Sequence, residues 1–152
     1  QHLLRLLAFL ENYTPTGATA LEVSLREFAF AHGRPGLTFL LTDLLDPAGY
    51  QPALKHLRSR GHEVAILHLL APDELDPALA GDLKLIDSET RQPQEVSLDG
   101  GMRRLYRERV QAWRAEIQAY CRQRSIHYLG YSTATPWEKV VLHEMRREGL
   151  VK

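Results

Sequence analysis

Residues Gly36–Pro47 read Gly-Leu-Thr-Phe-Leu-Leu-Thr-Asp-Leu-Leu-Asp-Pro, a β-favouring run that ends in Asp43 and then Asp46. A second run, His62–Leu70, is nearly all apolar, as in a parallel strand covered on both faces. Between them Tyr50, Leu54 and Leu57 recur at helical spacing, and the pattern stops near Gly61. Strand, short helix, strand in this order predicts a parallel sheet with right-handed crossovers. In an open parallel sheet, ligands bind outside the carboxyl ends of the strands, and Asp43 stands at such an end. The competing reading of Asp43 is a helix cap. Asp46, directly before Pro47, reads more readily as the cap of the helix that follows.

Outward from this unit the same alternation continues. Leu3, Leu4, Leu7 and Leu10 predict one helix, and Leu21, Leu25 and Phe28 another, across a loop at 13–19. Beyond Leu70, extended runs at 82–87 and 94–98 flank Ser88–Pro93 and predict a β-hairpin. Met102, Tyr106, Val110, Trp113, Ile117 and Tyr120 define one face of a long helix, and Ile126–Tyr131 a further strand. The last helix is expected to start with Thr135 as N-cap, Pro136 in its first position and Glu138 three residues after the cap.

Composition fits one soluble domain. The chain has 152 residues, 44% apolar and 25% charged, with 19 basic residues balancing 19 acidic ones. Nothing global points to nucleic acid or to an anionic membrane surface. Locally the charge is uneven: residues 73–99 hold eight acids against two bases, and 102–152 hold eleven bases against five acids. Asp73, Glu74, Asp76, Asp82, Asp87 and Glu89 are candidates for an acidic surface facing a basic partner, with Asp73, Glu74, Asp87 and Glu89 as its partner-binding residues. The competing reading is intramolecular, with the acidic stretch lying against Arg103, Arg107 and Arg114 of the long helix. No apolar run is long enough to span a bilayer.

Other chemistry is poorly supported. Of seven histidines, none forms an i,i+4 pair; His62 and His68 are about 20 Å apart along a strand and read as strand-end or surface residues. There is no glycine-flanked nucleophilic Ser, phosphate-binding loop or dinucleotide fingerprint. The lone Cys121 reads as a buried, inert thiol and Trp113 as a core anchor.

Several motifs in order, "TGATAL", "LTFLLTDLLDP", "LRSRGHEVAILHLL", "PDEL", "GDLKLIDSET", "YRERVQAW" and "YSTATP", resemble the bacterial proteins of "domain of unknown function 58". That resemblance implies a Rossmann-like, von Willebrand factor A-like (VWA-like) domain, associated with MoxR-type AAA+ ATPases. It further implies a metal-ion-dependent adhesion site (MIDAS), in which Thr19 matches the Thr ligand and Asp43 the Asp ligand. The Asp-x-Ser-x-Ser loop of that site has no counterpart, so the chain is expected to be the C-terminal portion of the domain, lacking its N-terminal strands. Mg²⁺ or Mn²⁺ is then the cofactor of the complete parent domain, bound weakly or not at all by this chain.

The resulting expectation is a three-layer α/β domain over residues 1–152, with a parallel sheet and a β-hairpin insertion. Its role is that of a non-enzymatic protein-interaction module with a MoxR-type ATPase as the implied partner. It is expected to be cytoplasmic, with no nucleic-acid or membrane contact by this segment and any anchor of the parent protein upstream. The alternative is a metal-dependent hydrolase using Asp43 with acids of the 73–89 region.

Overall fold

A computed structural model describes residues 2–14, 19–78, 81–86 and 92–151, except the side chains of Leu85 and Leu98. The order is α1 (His2–Asn12), α2 (Leu21–Ala31), β1 (Leu37–Thr42), α3 (Gln51–Ser59), β2 (Glu63–Leu70), α4 (Pro72–Leu75), β3 (Gly81–Ile86), β4 (Pro93–Leu98), α5 (Gly100–Gln123) and β5 (His127–Ser132). The chain then turns through α6 (Trp137–Lys139), a π-helical turn (Val140–Glu144) and α7 (Met145–Arg147). Strands β1, β2 and β5 form a parallel sheet in the order β1-β2-β5, while β3 and β4 pair antiparallel as a separate hairpin. The α/β class, the parallel sheet and the hairpin thus follow the alternation read from the sequence.

Strand periodicity sorts the core into two clusters. Thr42 of β1, His68 of β2 and Gly130 of β5 are in register. Residues of their parity face α2, α3 and α5, where Val64, Ile66, Leu54, Leu57, Ile117 and Cys121 are fully buried. Residues of the opposite parity, Ala65, Leu67 and Leu129, pack against Val140, Met145 and Leu150. Helices therefore cover both faces of the sheet, which makes three layers. Gly61 ends the α3 turn at φ 80°, in the left-handed region where glycine is unstrained.

The start of the last helix differs from expectation. Pro136, with ψ 127°, occupies the cap position itself, the helix begins at Trp137, and no side chain caps it. Thr135 is spent one step earlier, its N–H closing a turn on the Ser132 carbonyl at 2.9 Å. By contrast α5 carries a side-chain cap: Asp99 accepts from the Met102 N–H at 2.7 Å.

Candidate functional site

The loop after β1 is built by short side-chain to backbone bonds. Thr42 Oγ1 accepts from Leu44 N–H at 3.0 Å, and Asp43 Oδ1 accepts from Leu45 N–H at 3.1 Å. Such turns give the chain a way out of the strand ladder. Between them Leu44 adopts φ 58°, a left-handed conformation unusual for a branched side chain, and its side chain is buried. Burying that side chain holds the strained backbone and leaves the Asp43 carboxylate exposed at the rim. Asp43 therefore caps a turn in its own loop and not a helix.

Asp46 does cap a helix, but not the one that follows it. Its Oδ1 accepts from Ala48 N–H at 2.8 Å, while Oδ2 accepts from Leu21 N–H at 2.6 Å. Leu21 is the first residue of α2, so the carboxylate satisfies an orphan donor where the helix dipole favours negative charge. α3, the helix expected to carry this cap, starts behind Tyr50 without a side-chain cap. One consequence matters for the site: the 25-residue link pins the start of α2, two residues after Thr19, to the loop that carries Asp43.

Beneath this rim lies a group that sequence reading misplaced. His62, read as a strand-end residue, does stand directly before β2, buried at 3% exposure; His68, expected at a strand end or the surface, lies inside β2 and is buried at 1%. His68 Nε2 lies 2.9 Å from the Asp43 carbonyl oxygen and Nδ1 lies 2.7 Å from the Tyr128 hydroxyl. A carbonyl can only accept, so Nε2 carries the proton, and Tyr128 donates its O–H to Nδ1. The ring also meets Trp113 edge-to-face at 5.0 Å between centroids. Burial pushes the His68 pKa below its ordinary value, outweighing the bond to Asp43 that raises it, so the ring is held neutral. The available signal was position: His68 shares strand parity with Val64 and Ile66 inside an apolar run.

The acidic candidates are dispersed. Glu74 turns back onto its own short helix, where Oε2 accepts from Ala71 N–H, and its carbonyl accepts from Tyr106 O–H at 2.8 Å. Asp73, beside it, is exposed. Asp76 accepts from Arg103 Nε at 2.7 Å and lies 3.6 Å from Arg107. The hydrogen bond from Arg103 holds its carboxyl below the usual range. The acidic stretch thus meets the Arg face of α5 through Asp76. Arg114 turns elsewhere, donating to the Gly130 carbonyl at 3.3 Å. Asp87 and Glu89 lie outside the described residues. Among the described residues no three His, Cys, Asp or Glu side chains gather to hold a metal ion. Cys121 is buried, and desolvation pushes its thiol up to about 11, so it is inert at neutral pH. Trp113 packs against the core as expected.

The fold is an open parallel α/β domain with the Asp43 loop at the carboxyl end of β1. A family model described as "Protein of unknown function DUF58" matches residues 1–116, and the chain belongs to that family. An uncharacterised protein of Mycobacterium avium is 28% identical over 120 residues, which are 79% of this chain and 68% of the relative. One from Mycobacterium bovis is 27% identical over 139 residues, 90% of this chain and 43% of its own length, and a Mycobacterium tuberculosis protein gives the same figures. The chain thus spans under half of these two relatives. No solved structure gives a significant match. Among the described residues no helix is long and apolar enough to cross a membrane.

Proposed function

We propose that this chain is part of a non-enzymatic, VWA-like protein-interaction module. Its binding rim would hold Mg²⁺ or Mn²⁺ through Thr19 and Asp43, together with ligands that this chain does not supply. The observation that carries this reading is the bond from Leu21 N–H to Asp46 Oδ2, which draws together the two segments bearing the matched ligands. The donor set fits a hard cation: a hydroxyl and an exposed carboxylate, one of whose oxygens is fixed by Leu45 N–H. When bound, such an ion would supply a positive centre for a carboxylate of a partner protein. The residues of this chain would position the two ligands: His68 holds the Asp43 backbone and Asp46 holds the start of α2.

The partner in this reading is a MoxR-type AAA+ ATPase, and the setting is the cytoplasm, with any anchor of the parent protein outside this segment. The interaction role is preferred to hydrolysis because Glu74 and Asp76 serve a helix cap and an arginine pair. Calorimetric titration of Mg²⁺ and Mn²⁺ into the full-length protein tests the proposal. Binding that is lost in both Asp43→Ala and Thr19→Ala supports it. Unchanged binding in both variants overturns it. This chain by itself should bind the ions weakly or not at all, since two ligands leave most of the octahedron to water.

A further inference from the structure

Leu45, two residues from Asp43, lines a cleft of about 310 Å³ together with Leu70, Tyr106, Val110 and Trp113 and two charged residues, Glu74 and Arg109. That volume is at the small end for a ligand site and suits one large side chain. Its polar groups are unevenly committed. The Glu74 carboxylate is bound to Ala71 N–H, and the Tyr106 hydroxyl to the Glu74 carbonyl. Asp76, just beyond, is matched by Arg103 and Arg107. Arg109 has no hydrogen-bond or ion-pair partner among the described residues. The cleft therefore offers an apolar floor and one uncommitted guanidinium, the planar donor that best receives a carboxylate.

We propose that this cleft is a specificity subsite for a partner polypeptide: it takes a large apolar side chain while Arg109 receives an adjacent carboxylate. The inference deepens the interaction-module reading and rests on it. The site is also connected to the rim. Trp113, in its wall, packs on His68, which holds the Asp43 carbonyl, and Leu45 lies two residues from Asp43. A partner seated in the cleft therefore lies against the loop that carries Asp43, and its apolar anchor and its metal-binding carboxylate would be read side by side.

The test uses small probes in EDTA, so that no metal contributes. With Trp137→Phe as background, Trp113 is the sole tryptophan and its fluorescence reports on the cleft. N-acetyl-phenylalanine, its amide, and N-acetyl-glutamyl-phenylalanine amide are titrated in turn. At least one carboxylate probe should bind fivefold or more tightly than the plain amide, and which one does so tells a chain terminus from an acidic side chain. Arg109→Gln should remove that advantage without weakening the plain amide, and Leu45→Glu should weaken all three. Both residues are exposed, so neither change threatens the fold. Equal binding of all three probes, no response at Trp113, or an advantage that survives Arg109→Gln overturns the proposal. Asp43→Asn, which removes the charge but keeps an oxygen for the Leu45 N–H, should leave probe binding unchanged. Failure of the metal reading would therefore leave this result standing, whereas loss of probe binding in Asp43→Asn would reassign the probe to the rim and overturn the cleft.

Discussion

On one face of the sheet Leu54, Leu57 and Ile117 are fully buried beneath α2, α3 and α5; on the other, Leu37, Phe39 and Leu41 of β1 keep 40%, 36% and 62% of their surface. The strands supply apolar residues to both faces, so the contrast lies in the cover. The α6–α7 segment reaches Ala65, Leu67 and Leu129 of the two other strands. α1 shows the same open character, since Leu3, Leu4, Phe9 and Leu10 are exposed and none of its residues is buried. Stability should therefore be concentrated on the face beneath the rim, where the candidate site also sits.

The largest effect is expected from Leu57→Ala, which leaves a cavity among fully packed neighbours and should cost about 2–5 kcal/mol of unfolding free energy. Met145→Ala, under the thinner cover, should cost less. Denaturant titration of both measures the comparison directly, and equal losses would mean that the two faces are equally tight.

His68→Ala comes next. It leaves the Asp43 carbonyl and the Tyr128 hydroxyl without their partner and opens space against Trp113. An unsatisfied group costs about 1–3 kcal/mol when fully buried; these two are only partly buried and Tyr128 also meets Arg114, so a loss of about 2–4 kcal/mol is expected. A loss below about 1 kcal/mol in denaturant titration would mean that water replaces the ring and that the network does not set the rim.

Asp46→Ala should cost about 0.5–2 kcal/mol, the usual worth of a helix cap. This variant also tests how the rim is assembled, because it removes the link between α2 and the Asp43 loop. Hydrogen exchange at the Leu21 amide should accelerate while the β2 amides stay protected. Unchanged exchange at Leu21 would show that the bond is not maintained in solution.

How much of this was legible beforehand depends on range. Leu37–Thr42 and His62–Leu70 announced a parallel sheet because their apolar runs and intervening helix are local patterns. Asp43 was placed at a strand end by the same logic. The roles of Asp46 and His68 were not legible, since one bonds across 25 residues and the other reaches Tyr128 across 60. Local rules assign Asp46 to the nearest helix and His68 to the nearest surface. Only the fold, by bringing α2 to the β1 loop and β5 beside β2, shows otherwise. The early start assigned to the last helix is a local miss: the turn from Ser132 to Thr135 delays the helix by one residue, so that Pro136 takes the cap position.

The network has a pH dependence whose sign follows from burial. The folded-state pKa of His68 lies below its unfolded value, so between the two the unfolded chain binds more protons. Its contribution is present above about pH 6.5 and is lost as pH falls toward the folded pKa. The slope is at most about 1.4 kcal/mol per pH unit for one proton. Asp43, Glu74 and Arg114 are the charged groups that act on the ring, the first two raising its pKa and Arg114 lowering it. His68→Gln should remove this part of the slope, so the difference between the two chains isolates it from the other histidines. A variant with an unchanged profile would show that His68 titrates as it does when unfolded.

The smallest effect on stability, and the clearest on behaviour, is expected at Leu41. Its side chain is 62% exposed on β1, which lies at one edge of the sheet among the described residues. An apolar edge strand with unpaired N–H and C=O groups is a template for pairing with other chains. Leu41→Thr keeps a β-favouring residue and removes apolar surface that the fold leaves uncovered, so unfolding free energy should change by less than about 0.5 kcal/mol. Light scattering, by contrast, should fall if the chain self-associates through this face. A variant that associates as strongly as the parent chain would move the cause to α1, where Leu3, Leu4, Phe9 and Leu10 present a second uncovered surface.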